Sequence, residues 1–124
     1  MTTWTSEELA TADTTDEMQI SSVRGDTTLS SPRTIWVVRD GQDLYVRSVN
    51  GPTAAWFRGT LARREGRIRV GALEKDVTFV DADDSVNDQL DAAYRSKYRR
   101  YAKSIVDSIN SPKARAATLK LLPR

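Results

Sequence analysis

Few side chains of this 124-residue chain are suited to catalysis. The chain contains no Cys and no His, which excludes disulfides, thiolate nucleophiles, zinc sites built from Cys and His, and every catalytic pair that uses a His base. Carboxylate sites for Mg²⁺ or Ca²⁺ and Tyr hydroxyls remain available. The most closely spaced carboxylates are Asp81, Asp83 and Asp84. Because capping of a following helix explains them more simply, we expect no metal site there.

Positive charge is concentrated in two parts of the chain. The net charge is only +2, but residues 33–75 hold nine basic and four acidic side chains, and residues 92–124 hold nine basic and one acidic. If the fold brings the two segments together, they form a face that attracts anions. If it does not, they are ordinary solvated surface. The excess of positive charge is too small to favour nucleic acid as a partner.

The longest amphipathic pattern predicts a single helix over residues 84–110. Ser85 is a suitable N-cap, and Pro112 ends the pattern. The apolar stripe of this helix suits packing in a core or an interface, and it would also present phenol hydroxyls to a bound substrate. Its members recur every three or four residues and are Val86, Leu90, Tyr94, Tyr98, Tyr101, Ile105 and Ile109.

Short β-strands are predicted between the helices. The Asp40-Gly41 step between two runs of β-branched and aromatic residues is a strong hairpin signal. Six runs have strand composition: residues 17–23, 33–39, 42–49, 67–71, 76–80 and 117–122. Their order predicts an α+β fold, a six-stranded antiparallel barrel with flanking helices. We expect one domain over residues 1–124, with a helical segment at 1–16, barrel strands and a short inserted helix at 17–83, the long helix at 84–110 and the last strand at 117–122.

The strand over residues 33–39 is expected to lie inside the barrel wall. Ile35 and Val37 alternate with Trp36 and Val38, so both faces of this strand are apolar. The inserted helix is expected over residues 53–63, after the Asn50-Gly-Pro break.

Together these elements resemble a known family of folds. The residues that carry the resemblance are the run TIWVVRDGQDLYVRSVNGPTAAWFRGTLARREGRIRV, then VTFVDADD, then AYRSKYRRY within the long helix, then the terminal ATLKLLPR. The chain from about residue 17 to residue 124 resembles the FMN-binding split β-barrels. It is most similar to the branch of deazaflavin-dependent nitroreductases, and within it to the group called domain of unknown function 2255.

The resemblance implies a cofactor and a site. The cofactor would be FMN or a deazaflavin coenzyme, and the reaction would be hydride transfer to a small organic substrate, with no metal. The helix that begins near residue 53 would offer free N–H groups to a phosphate, and Gly51 would let the backbone approach it closely. The residues implied in cofactor binding are Arg33, Arg47, Ser48, Asn50, Gly51, Trp56 and Arg58. Tyr94 and Tyr98 are implied in substrate binding.

Two other interpretations remain open. A non-catalytic domain that binds a small ligand or a partner on the same fold is the main alternative, because the apolar stretch Pro52–Ala55 departs from the deazaflavin branch. A basic face for an acidic partner is the other.

The longest apolar runs have four residues, too few for a membrane span, and no secretory signal begins the chain. We expect a cytoplasmic protein, and a homodimer, because Trp36 and the Tyr stripe supply more apolar surface than one small barrel needs.

Overall fold

Seven antiparallel strands form one sheet that closes into a barrel. The structure is a computed structural model and describes residues 3–124. The strands are β1 (Glu17–Ser22), β2 (Arg33–Trp36), β3 (Val38–Asp40), β4 (Asp43–Arg47), β5 (Glu65–Val70), β6 (Leu73–Asp81) and β7 (Thr118–Pro123). Their order across the sheet is β2-β1-β5-β6-β7-β4-β3. β2 and β3 stand at opposite ends of this order, but only Val37 separates them in the chain. The sheet therefore closes through the chain itself, and the predicted α+β barrel is confirmed, with six strands if β2 and β3 are counted as one.

Two side chains form hydrogen bonds with the backbone of Val37, which separates β2 from β3. The Val37 N–H donates to the Tyr98 hydroxyl over 3.1 Å, and the Val37 carbonyl accepts from Lys97 Nζ over 2.6 Å. The Tyr98 hydroxyl also donates to the carbonyl of Asp16. Because a backbone group that is bonded to a side chain is not free for the ladder, the pairing stops at this residue. The predicted alternation holds on both sides of the break: Ile35 and Val37 pack into the barrel core, and Trp36 and Val38 pack outside it.

Five helices pack against the barrel in the described chain. They are α1 (Ser6–Thr14), α2 (Ala55–Arg63), α3 (Asn87–Lys97), which follows a 3₁₀ turn at Asp84–Val86, α4 (Lys103–Ile109) and α5 (Pro112–Arg115). A second core lies between the barrel and α3 and α4, and contains Tyr45, Leu90, Tyr94, Tyr98, Val106 and Ile109. Within residues 3–124, no helix is both long enough and apolar enough to cross a membrane.

The prediction of one helix over residues 84–110 is wrong. α3 ends at Lys97, and the chain turns through residues 98–102 before α4 begins. The aromatic side chains of this turn are held by tertiary contacts, because the Tyr98 ring stacks on Trp36 and the Tyr101 hydroxyl donates to Asp16 Oδ2 over 3.1 Å. The turn also changes the register of the apolar stripe. Ile105 is 49% exposed, whereas Val106 is buried.

Candidate ligand-binding cleft

A cleft opens beside the bend that follows β4. Its volume is about 430 Å³, which lies in the range of small-molecule sites. β2 forms one wall, α4 forms another, and the bend and the first turn of α2 complete the lining. The lining residues are Arg33, Thr34, Ile35, Trp36, Arg47, Val49, Asn50, Ala54, Ala55, Trp56, Ile105, Ser108 and Ile109.

The walls of the cleft are largely apolar. Trp36 and Trp56 contribute two half-buried indole rings. Val49 and Ile105 are aliphatic lining residues that stay 40% and 49% exposed. Exposed aliphatic side chains beside a concave aromatic surface are a common feature of ligand sites. The cleft is therefore suited to a flat, largely apolar molecule.

Trp36 is held in a fixed orientation from behind. Its ring stacks on that of Tyr98, with centroids 3.8 Å apart and planes 4° apart, and Tyr101 lies 5.0 Å away at a tilt. The bonds of the Tyr98 hydroxyl to the backbone anchor this stack to the barrel. The indole therefore forms a rigid wall of the cleft.

Tyr94 and Tyr98 do not take the substrate-binding positions predicted for them. Both side chains have no exposed surface, and neither lines the cleft. Burial raises the pKa of both phenols well above the ordinary value, even though the charge of Arg47 acts in the opposite direction on Tyr94. Their roles are structural: Tyr98 supports Trp36, and Tyr94 packs in the second core, where Arg47 lies 5.4 Å above its ring.

The bend after β4 depends on Gly51. Its φ of +84° lies in the left-handed region, which favours glycine. A Cβ atom added there would lie 3.1 Å from Cβ of Lys113, so the close approach that Gly51 permits is to α5. Ser48 is fully buried at the end of β4, and its Oγ has no partner among the described residues. Neither residue lines the cleft.

The N-terminus of α2 faces the same cleft. Ala54 is its N-cap, and no side chain caps the helix. Ala54, Ala55 and Trp56 all line the cleft. The first N–H groups of a helix have no intrahelical acceptor and carry the positive end of its dipole. This end of the cleft therefore favours an anionic group.

Four of the seven residues predicted to bind a cofactor line the cleft: Arg33, Arg47, Asn50 and Trp56. Arg33 and Asn50 are exposed, and Arg33 forms no ion pair within residues 3–124. Arg58 is exposed on α2 but outside the lining. Arg33 is therefore the guanidinium that can meet a ligand in this cleft.

Arg47 is committed to the protein interior instead. Its side chain is fully buried, and Nε donates to Thr118 Oγ1 over 3.1 Å. Nη1 donates to Asp91 Oδ1 over 2.7 Å and to Asn110 Oδ1 over 2.9 Å, and Nη2 donates to Asn87 Oδ1 over 3.0 Å. We call this cluster the Arg47 hub. Because all three guanidinium nitrogens already have acceptors in the protein, the predicted contact of Arg47 with a cofactor phosphate is replaced by a structural role.

Asp91 is the ionised partner within the Arg47 hub. Burial opposes its ionisation, but hydrogen bonds from Arg115 and Arg47 outweigh that effect and hold the pKa of the Asp91 carboxyl below its usual range. Arg115 donates to Asp91 Oδ2 over 2.6 Å and to Asp88 Oδ1 over 2.8 Å. The hub thus connects β4 to α3, and through Arg115 and Asn110 to the segment around α5.

Several lining residues were not anticipated from the sequence. Trp36 was expected on an apolar face of a barrel strand, and one side of its ring does pack against the second core. Ile105 reaches the cleft because the turn before α4 shifts the apolar stripe. Val49 gave a usable signal, since it is an apolar residue directly before a predicted break. The complete set of such lining residues is Thr34, Ile35, Trp36, Val49, Ala54, Ala55, Ile105, Ser108 and Ile109.

The acidic turn before α3 has structural partners. Asp83 Oδ1 accepts from the N–H of Ser85 over 2.9 Å and so caps the 3₁₀ turn that precedes α3. The predicted N-cap Ser85 lies inside that turn, and α3 itself begins after Val86 with no side-chain cap. Asp81 pairs with Arg64 over 2.8 Å. Among residues 3–124, no group of three or more carboxylates is arranged to hold a metal ion.

Comparison with known structures identifies the fold. A candidate pyridoxamine 5′-phosphate oxidase from Listeria innocua has 16% sequence identity and a TM-score of 0.63, over 95% of this chain and 90% of that chain. An FAD- and heme-binding protein from Mycobacterium smegmatis has 21% identity and a TM-score of 0.63, over 97% of this chain and 65% of that chain. An F420 reductase has 15% identity and a TM-score of 0.57, over 93% and 90%. At these identities the likeness establishes the split-barrel fold alone.

Comparison of sequences identifies the family. No curated protein matches the chain. The profile of a family described as uncharacterised proteins conserved in bacteria, DUF2255, matches residues 8–121. The chain therefore belongs to the DUF2255 family, which has the split-barrel fold.

Proposed function

We propose that the cleft binds FMN or a deazaflavin coenzyme, and that the protein is a cytoplasmic oxidoreductase that transfers hydride to a small organic substrate. The observation that carries this proposal is the pair of indoles, Trp36 and Trp56, lining one cleft with Arg33 and the uncapped N-terminus of α2. A planar ring system suits the apolar walls, and a phosphate suits the cationic end. Three structurally similar proteins are named for FAD, F420 or pyridoxamine phosphate chemistry, which supports a cofactor of this type.

The few groups of the cleft that can bind an anion limit the number of phosphate groups on a cofactor that binds there. The Arg47 guanidinium is bonded internally, and Arg58 lies outside the lining. Arg33, the amide of Asn50 and the first N–H groups of α2 remain for an anion. This set fits one phosphate group better than a pyrophosphate, because a second phosphate would need a further cation.

The residues of the cleft position a ligand and do not move protons. The lining contains no carboxylate, Lys or Tyr, and Ser108 and Thr34 supply its hydroxyl groups. A bound cofactor would supply the hydride chemistry. Trp36 would set the plane of the ring, since it is fixed by Tyr98, and the apolar walls would exclude water. Arg33 would fix the phosphate end.

A non-catalytic, ligand-binding protein is the second candidate. It is favoured by the same absence of acid–base groups from the lining. In either case we propose a homodimer, with a second copy of the chain covering the exposed Val49 and Ile105 at the rim. Sedimentation or light scattering of the purified protein measures this directly, and a monomer at micromolar concentration contradicts it.

Titration of the purified protein with FMN, riboflavin and a deazaflavin coenzyme tests the proposal. We expect saturable quenching of the ligand fluorescence. Arg33→Ala should weaken FMN binding about tenfold, as expected for the loss of one charge-assisted contact, and should leave riboflavin, which lacks the phosphate, unchanged. Arg58→Ala removes another exposed guanidinium, outside the cleft, and is the matched control.

The two candidates separate in a second measurement. Turnover of a reduced cofactor with a panel of nitro and enone substrates supports the oxidoreductase, and binding without turnover supports the second candidate. The cofactor proposal fails if neither cofactor binds, or if Arg58→Ala weakens FMN binding as much as Arg33→Ala does.

A further inference from the structure

A second cavity lies between the end of α1, β3 and the last turn of α3. Its volume is about 590 Å³, and it shares no lining residue with the cleft. Its walls are polar, in contrast to those of the cleft. We call it the basic cavity, because four of its lining residues are cations: Arg39, Lys97, Arg99 and Arg100.

The basic cavity carries an excess of positive charge. Its carboxylates are Asp13 and Asp16, so four cations face two anions. Asp16 is already engaged, because it pairs with Arg100 and accepts from the Tyr101 hydroxyl. Two uncompensated charges in one concave surface attract a multivalent anion.

Arg39 and Arg99 are the cations of the basic cavity that are free to meet a ligand. Neither forms an ion pair with a carboxylate of the described chain. Their observed bonds are single contacts with backbone carbonyls, from Arg39 Nε to Gly41 over 2.8 Å and from Arg99 Nη1 to Ser96 over 3.2 Å. Each guanidinium therefore keeps most of its five N–H donors.

Lys97 has a different place in the basic cavity. Its Nζ donates to the carbonyls of Ala12 and Val37 over 2.7 and 2.6 Å. It therefore contributes charge from a fixed position beside the break between β2 and β3, while its hydrogen bonds remain with the protein.

Stabilisation of the α3 dipole does not by itself explain why these cations line one cavity. Basic residues in the last turn of α3, such as Lys97, do favour its negative end. Arg39, however, comes from β3, and the α3 dipole gives no reason for it to line the same cavity. Two separate elements thus contribute guanidinium groups to one polar recess, as expected for an anion site.

We propose that the basic cavity binds a small multivalent oxyanion, with Arg39 and Arg99 donating to it. A phosphate-type anion and a dicarboxylate share this chemistry, because both present paired oxygens to a guanidinium fork. This site is separate from the cleft and does not depend on the cofactor proposal.

Calorimetric titration with pyrophosphate and with succinate tests this site and distinguishes the two classes of anion. We expect saturable binding of at least one of them, weakened about tenfold in Arg99→Ala. Arg99 is exposed and forms no ion pair, so the variant should fold, and its circular dichroism spectrum checks this. Arg95→Ala is the control, because Arg95 is an exposed arginine in the last turn of α3, four residues before Arg99, and lies outside the basic cavity.

Three outcomes would refute the proposed anion site in the basic cavity. The proposal is refuted if neither anion binds at millimolar concentration. It is also refuted if Arg95→Ala weakens anion binding as much as Arg99→Ala does, because equal effects would indicate a general effect of charge. It is also refuted if Arg33→Ala abolishes pyrophosphate binding and Arg99→Ala does not, since the anion would then occupy the cleft. FMN binding in Arg99→Ala should equal that of the unmodified protein, so the two proposals fail independently.

Discussion

Replacement of Arg47 by Met should destabilise the protein by about 3 kcal/mol. Met fills a similar volume but donates no hydrogen bonds, so Thr118 Oγ1 and the side-chain oxygens of Asn110 and Asn87 lose their donor. Each lost bond costs about 1 kcal/mol, the usual net contribution of an intramolecular hydrogen bond. Asp91 adds less than a fully buried carboxylate would, because it keeps its bonds to Arg115.

Urea unfolding followed by tryptophan fluorescence measures this loss. With a denaturant dependence of about 1–3 kcal/mol per molar urea, the midpoint of Arg47→Met should fall by about 1–3 M. Arg115→Met is the matched control, since Arg115 contacts the same carboxylate from a more exposed position. We expect a much smaller shift for it, as for other exposed ion pairs.

A different result would support the contact with a cofactor phosphate that the sequence predicted for Arg47. If Arg47→Met keeps the midpoint of the unmodified protein but loses FMN binding, the guanidinium serves the ligand, and the Arg47 hub does not stabilise the fold. If both variants shift the midpoint equally, the stabilisation comes from the Asp91 charge and not from the set of buried bonds.

Two further predictions concern the break at Val37, and a third concerns the packing of β5 against β1. Tyr98→Phe should cost about 1–3 kcal/mol of stability, because the N–H of Val37 loses its acceptor; thermal unfolding tests this, and an unchanged midpoint contradicts it. Burial lowers the pKa of Lys97 to about 8, against a partial opposing effect of Asp13. The folded protein therefore binds fewer protons than the unfolded chain between about pH 8 and 10.5. In this range the unfolding free energy should rise with pH relative to Lys97→Met, and a parallel pH dependence of both proteins contradicts it. Gly66→Ala should prevent stable folding, since its Cβ would lie 2.1 Å from the carbonyl of Ser21, whereas Gly25→Ala, with open space around it, should fold normally by circular dichroism.

The barrel could be predicted because its strands carry local signals. Alternation in residues 33–39 gave the two packed faces, and Asp40-Gly41 gave the hairpin, with Gly41 at a φ of +62° as such turns require. The break at Val37 has no such signal. It depends on the side chains of Lys97 and Tyr98, about sixty positions away in the chain. Propensity within a short window cannot register a contact at that distance.

The cleft was predicted in part for a similar reason. The Asn50-Gly51 bend and the start of α2 are local features, and Asn50 and Trp56, which were named from them, both line the cleft. Ile105 was assigned to the buried stripe because its spacing is helical. Its exposure results from the turn at residues 98–102, which tertiary contacts of Tyr98 and Tyr101 impose.

The error in the long helix and the error about Arg47 have one cause. In an unbroken helix, Asn87 and Asn110 would lie about 35 Å apart, at 1.5 Å of rise per residue. Their side-chain oxygens instead meet on the same guanidinium, each within 3.0 Å of it. Only a chain that turns back after Lys97 can bring both to β4. The turn therefore buries Arg47 and places α4 against the cleft. The same turn thus makes the Arg47 guanidinium unavailable to a ligand and gives the cleft an apolar wall. If the proposed function holds, this cleft should select its cofactor chiefly by the shape of a flat ring and only secondarily by charge.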